Sequence, residues 1–283
     1  MAKYESYVAQ AELSDVAHLV PSGSPFAIEV RFLGGLTPKQ KDAFKKAAER
    51  WTRIIVGDLP SVMVDGEVID DLLILAQGVK IDGPGKVLGQ AGPTDLRPAS
   101  AGAAALLPAK GRMAFDTADL AKMEKDGSLV DVITHEMGHV LGIGTVWTEK
   151  NLLKGAGGAN PRFTGKRAVQ AFRDLGGKGT VVPVENTGGP GTADSHWRDT
   201  VFKNELMTGF VAGAGNPISK ITVGSLQDLG YVVDPTKAEP YTLPNLQNLA
   251  ERGLLLAAES LQETGLMMRN IPIVLPDDAL QPG

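Results

Sequence analysis

The spacing of apolar positions changes period several times along the chain, and each change marks an element. From Phe26 the run FAIEVRFLG alternates as a half-buried strand does. The period then switches: Phe44, Ala47, Ala48, Trp51, Ile54 and Ile55 fall on one helical stripe. TPKQ opens that helix, with Thr37 as cap, Pro38 at the first helical position and Gln40 placed to close a capping box. Strand-like runs DDLLILAQGVKI, KVLGQAG and GRMAFD follow, separated by Gly and Pro turns. A second helical stripe, Leu129, Val132, Ile133, Val140 and Leu141, predicts a helix that starts near residue 128. There Ser128 and Asp131 resemble a capping box. The helix stops at Gly142, which without a Cβ can take the left-handed conformation that ends a helix.

Further on, GAGGAN at 155–160 and TGGPGTADS at 187–195 read as loops, with a short helix around KRAVQAFRDLG between them. In the segment 218–234, Ser219 is a candidate N-cap and Gly230 a candidate helix terminator. After residue 240 the pattern turns helical again, with Leu246, Leu249, Leu254 and Leu255 along one side, before a Pro-rich tail. The order strand, helix, strands, helix predicts an α+β fold: a twisted mixed sheet backed by two helices, followed by a mostly helical or irregular lobe. The expected divisions are a polar lead-in (1–24), an N-terminal lobe (25–144), a C-terminal lobe (145–239), and a helical extension with its tail (240–283). No internal repeat is evident.

Composition narrows the class. A chain of 283 residues can bury one large core or two lobes sharing a cleft. Its 28 basic and 33 acidic residues give a net charge of −5, too mild and too evenly spread for a nucleic-acid surface. No apolar run approaches the roughly 20 residues needed to span a bilayer. With no cysteine, neither a disulfide nor a thiol metal ligand is available. The start MAKYESYVAQ has neither the basic beginning nor the apolar centre of a secretory signal.

The chemistry concentrates in HEMGHVLG at 135–142. His135 and His139 stand one helical turn apart, so their Cβ atoms lie about 5–6 Å from each other on one face. A tetrahedral zinc asks each imidazole nitrogen to come within about 2.0–2.1 Å, which that spacing allows. Glu136 points roughly 100° around the helix and can reach a water on the ion's open side, the position of a general base. The chain has only four histidines. The third candidate ligand, His196 in SHWRD, follows a glycine-rich stretch able to swing a loop back over the helix, and Met207 lies beyond it in NELMTG.

Taken together these motifs resemble the leishmanolysin-like metzincin zinc peptidases. Compact metzincins place the third histidine three residues after the glycine, where this chain has Thr145. Leishmanolysin-like members insert a subdomain first and then carry HW and ELM, here His196-Trp197 and Glu205-Leu206-Met207. The resemblance covers about residues 25 to 235. It implies His135, His139 and His196 as ligands of one catalytic Zn2+, Glu136 as base, and Met207 as the methionine of the turn beneath the zinc. It also implies the metzincin upper lobe with an active-site cleft, zinc-dependent endopeptidase activity on peptide and protein substrates, and export from the cell.

The chain departs from the family's eukaryotic members in having no cysteine, so no pro-segment cysteine can plug the zinc. No tyrosine lies close after Met207, where Phe210 is the nearest aromatic, and no tyrosine is assigned a catalytic role. Two other readings stay open on the residues alone. Glu205 could replace His196 as third ligand, and the chain could be a zinc-stabilised binding or adhesion module without catalysis, against which the intact Glu136 argues. Met207 could be an ordinary core methionine. His18 reads as a surface histidine, although a segment carrying Asp15 and His18 could fold into the cleft. Trp51 reads as core, Trp147 and Trp197 as core or cleft wall. IDGPGK offers too few oxygen ligands for a calcium loop.

Overall fold

Alternation in FAIEVRFLG puts Ile28, Val30 and Phe32 on one buried face, and the segment is a strand of the main sheet in the computed structural model. The structure describes residues 4–12, 24–81, 83, 89–209, 213–245 and 271–282. The first strands are β1 (Glu5–Gln10) and β2 (Ala27–Gly34), followed by helix α1 (Pro38–Thr52). Then come β3 (Val62–Val64), β4 (Glu67–Ile69), β5 (Leu72–Val79), β6 (Gly89–Leu96) and β7 (Pro108–Asp116). Helices α2 (Thr117–Asp126) and α3 (Leu129–Val140) follow. The strands β8 (Leu153–Lys154) and β9 (Arg162–Phe163), helix α4 (Lys166–Asp174), strand β10 (Val182–Pro183) and helices α5 (Asp199–Phe202) and α6 (Lys220–Leu229) complete the second half. A last short strand, β11 (Ile273–Val274), lies near the C-terminus.

The main sheet has six strands in the order β1-β2-β5-β7-β6-β11. The pairs β2/β5 and β5/β7 run parallel, β1/β2 and β7/β6 antiparallel, and β11 joins β6 in parallel. The architecture is therefore α+β with a mixed sheet. One face packs against α1 and α3 in a single large core. The other carries a small cluster of Val62, Val64, Ile69, Leu73 and Ala109, closed by Leu275 and Leu280 of the tail.

Local chemistry explains the helices. At α1, Gln40 N–H donates to Thr37 Oγ1 (3.2 Å) and Thr37 N–H to Gln40 Oε1 (2.9 Å), the reciprocal box read from TPKQ. Phe44, Ala47, Ala48 and Trp51 are fully buried, and Trp51 Nε1–H donates to the Thr134 carbonyl at 2.9 Å, joining α1 to α3. The sheet admits α3 closely because Gly111 has no side chain: a Cβ there would stand 2.4 Å from Val140 Cγ1. Ser219 caps α6 through Ile221 N–H, and Gly230 ends it at φ 117°. The Asp228 carboxylate, on α6, accepts from Arg167 and Ala168 N–H and so caps α4 from its neighbour.

Several expectations change. The Ser128–Asp131 box does not form, because Ser128 turns its N–H and Oγ to Asp126 while Asp131 is held by other segments. The helix still begins at Leu129, and Gly142 carries the left-handed φ of 103° at its end. Residues 5–10, read as lead-in, form an edge strand: only Ala9 of ESYVAQ is buried, so the segment is too polar to announce itself. Of the run KVLGQAG, residues 86–88 lie outside the described residues; from Gly89 the strand runs to Leu96 past Pro93, with register shifts between Pro93 and Asp95 and between Asp95 and Leu96 that accommodate the proline. Helix α2 and the β3/β4 hairpin were unread, although Asp116 with Gly127 and the Asp65-Gly66 turn were their signals. The Pro-rich tail contributes the short strand β11. Leu246, Leu249, Leu254 and Leu255, together with Asp15, His18 and Phe210, lie outside the described residues. Among the described residues no helix is long and apolar enough to cross a membrane.

Candidate metal centre

Helix α3 presents His135 and His139 on one buried face, at 1% and 0% exposure. His196 reaches them from a loop pinned on both sides of the histidine. Its own carbonyl accepts from Glu185 N–H at 2.8 Å, and Trp197 N–H donates to the Met207 carbonyl at 2.9 Å. The Trp197 indole donates to Thr222 Oγ1 and packs against Trp147 and Phe163, with ring centroids 4.8 and 5.5 Å away. Rings of this size bury roughly 150–250 Å2 each, so the residue next to the histidine is a heavy anchor. Gly144 (φ 77°) is what lets the loop close in, since a Cβ there would fall 2.0 Å from the Ser195 carbonyl oxygen.

The three Nε2 atoms converge: 3.1 Å from His135 to His139, 3.1 Å from His135 to His196, and 2.9 Å from His139 to His196. Each Nδ1 faces a backbone carbonyl, of Leu206 (2.7 Å), Ile143 (2.8 Å) and Thr192 (2.9 Å) respectively. A carbonyl only accepts, so each Nδ1 carries the proton and each Nε2 turns a bare lone pair inward. Three lone pairs this close repel one another unless a cation lies between them. Burial depresses the histidine pKa values, to about 4 for His135 and about 3 for His196, and well below the ordinary value for His139. For His139 and His196 the neighbouring rings add to the effect. The rings are thus neutral, the form in which imidazole binds a metal.

Glu136 completes the constellation. It is fully buried, its Oε1 lies 3.7 Å from His135 Nε2, and neither carboxylate oxygen has a hydrogen-bond partner among the described residues. Burial alone pushes its pKa well above the usual carboxylate range. An unpartnered carboxylate in such a place is costly unless a positive charge or a polar ligand meets it. Three neutral imidazoles beside it fit a zinc ion at about 2.0–2.1 Å from each nitrogen.

Met207, fully buried, packs against α3 at Gly138. A Cβ on Gly138 would stand 2.7 Å from Met207 Sδ and 3.0 Å from its Cε, so the glycine inside HEMGH makes room for the methionine. Glu205 is not favoured as a ligand, being bonded elsewhere. Its carboxylate accepts from Met207 N–H (2.6 Å), from Ser219 N–H and Oγ–H (3.1 and 2.8 Å) and from Thr222 Oγ–H, which consumes both oxygens in tying the turn to the start of α6. The reading of Glu205 as third ligand is therefore corrected. Phe163, Trp147 and Trp197 belong to the core. A second acidic group, Asp58, Asp70 and Asp71, is structural: Asp71 accepts from Ala27 and Leu59 N–H, and Asp70 from Ser61 Oγ–H.

What sequence reasoning missed are the backbone carbonyls of Leu206, Ile143 and Thr192, which carry no residue-type signal. The glycines 138 and 144 could have been noticed as positions needing close approach.

Three imidazoles from one helix and one distant loop, gathered round a common point with a carboxylate at their side, form a group that could hold one metal ion. Residues 102–249 match the model of the Peptidase_M8 family, leishmanolysin, and the chain belongs to that family. It is 32% identical over 142 residues to leishmanolysin of Leishmania donovani, an alignment covering 47% of this chain and 24% of that protein. Leishmanolysin of Leishmania tropica gives 31% over 142 residues, 47% of this chain and 21% of that protein. A leishmanolysin homolog of Crithidia fasciculata gives 30% over 115 residues, 38% and 17% of the two chains. In each case the alignment spans a quarter or less of the relative's length.

Proposed function

We propose that this chain is a zinc-dependent endopeptidase of metzincin type, hydrolysing internal bonds of peptide and protein substrates. The observation that carries the reading is the buried, unpartnered Glu136 carboxylate beside three converging Nε2 lone pairs. His135, His139 and His196 would hold the ion, with Met207 packed against the same helix at Gly138. A zinc bound there supplies a Lewis acid that acidifies water and polarises the scissile carbonyl. Glu136 orients the attacking water, accepts its proton as the C–O bond forms, and returns that proton to the leaving amine as the C–N bond breaks. The Nδ1–H bonds to Leu206, Ile143 and Thr192 keep the rings in the ligating tautomer throughout.

A zinc-stabilised module without catalysis would leave the Glu136 carboxylate with no role to offset its burial. The deciding experiment is incubation of zinc-loaded protein with casein, with and without a chelator. Chelator-sensitive cleavage that is lost in Glu136→Gln supports the reading, and zinc uptake without cleavage in the native chain refutes it.

A further inference from the structure

We infer that Asp131 is a positioning residue for the metal ligand His135, acting through a closed circuit of hydrogen bonds that also contains Arg50; this deepens the zinc-peptidase reading and rests on it. Asp131 and His135 lie one turn apart on the same face of α3. Asp131 Oδ2 accepts from the N–H groups of Gly215 and Asn216 at 2.5 and 3.0 Å, and from the Asn216 side-chain amide at 3.1 Å. The next residue, Pro217, accepts at its carbonyl from Leu206 N–H, 2.9 Å. The Leu206 carbonyl in turn accepts the Nδ1 proton of His135, 2.7 Å. The circuit therefore leaves α3 at Asp131, crosses two backbone segments, and returns to α3 one turn later at the imidazole.

The remaining partner of Asp131 makes the circuit rigid. Arg50, on α1, donates from Nη1 to Asp131 Oδ1 at 2.8 Å and from Nη2 to the Asn216 carbonyl at 2.6 Å. The same guanidinium grips Glu239 at 2.6 and 2.5 Å, and Glu239 accepts from Ile218 N–H at 2.7 Å. Side-chain exposure of Arg50 and Asp131 is only 16% and 11%, so water screens this ion pair little. The segment 215–218 is thus held from both flanks, and with it the height of the Leu206 carbonyl against the His135 ring. His139 and His196 take their Nδ1 acceptors from other segments and lie outside the circuit.

The test uses the full-length protein loaded with zinc. Affinity is measured by competition with a chromophoric chelator, and the imidazole Nδ1–H signals by NMR of 15N-labelled protein. Asp131→Ala is expected to weaken zinc binding about 10- to 100-fold, the usual cost of losing an outer partner of a ligand. It should displace the Nδ1–H signal of His135 while leaving those of His139 and His196 in place. Arg50→Lys, which keeps the charge but loses the fork, should give the same pattern in weaker form and serves if Asp131→Ala does not fold. Asp234→Ala, which removes the cap at Thr236 away from the site, is the control and should leave zinc affinity unchanged. Folded Asp131→Ala or Arg50→Lys protein with zinc affinity within twofold of native and an unmoved His135 signal overturns the inference. A native protein that fails to bind zinc overturns the peptidase reading instead.

Discussion

Gly138, the residue before His139, and Met207 meet with no room between them: a Cβ on the glycine would stand 2.7 Å from the methionine sulfur. The contact seats Met207 against α3. Gly138→Val should therefore push Met207 off its seat and cost about 1–3 kcal/mol by overpacking. Chemical denaturation should show that loss together with weaker zinc binding, and Gly138→Val combined with Met207→Ala should recover part of it. No recovery in the double variant would show that the two residues do not share the space.

Glu136→Gln is expected to abolish peptide cleavage, by at least the 10²–10⁴-fold typical of a lost general base. Zinc content measured by atomic emission should stay at one ion per chain. The metal-free variant should be no less stable than the native chain, because a neutral amide replaces a carboxyl group whose burial without partners is unfavourable. A cleavage rate close to native would remove Glu136 from the mechanism.

Glu205→Gln separates a structural carboxylate from a ligand. Four donors converge on it, and an amide that presents one oxygen cannot satisfy them all. Unpaired buried donors cost about 1–3 kcal/mol each. The variant should melt at lower temperature yet still take up one zinc, and loss of the metal with unchanged thermal stability would reverse the assignment.

Acid should destabilise the metal-free protein through its histidines. Their pKa values are lowered on folding from an ordinary value near 6.5, to about 4 for His135 and about 3 for His196. Between those limits the unfolded chain's histidines bind protons that the folded chain's refuse, so their contribution to stability falls as pH drops from about 6.5 towards 4 and is level above 6.5. Denaturation midpoints across that range should flatten at the acidic end in His196→Ala. In the zinc-loaded protein the same protons compete with the metal, and the ion should be released on acidification.

Much of this molecule is legible in one dimension. The capping box at Thr37 and Gln40, the stripe from Phe44 to Trp51, and the stop at Gly142 all follow from interactions between residues a few positions apart. Where such local signals were weak or ambiguous the reading failed. β1 buries a single side chain, Pro93 conceals the length of β6, and Ser128 finds a better partner behind it in Asp126 than ahead in Asp131.

The sequence by itself determined that two histidines and a glutamate share one helix, because a 3.6-residue period places side chains by arithmetic alone. Its histidine count also left few candidates for a third ligand. Only the tertiary structure decided that His196 arrives within 3.1 Å of both others, that three backbone carbonyls set the tautomers, and that Glu205 spends its oxygens on the turn and the start of α6. Those outcomes depend on where distant backbone segments come to lie, and carbonyls are the same at every residue, so no pattern of side chains along the chain could specify them.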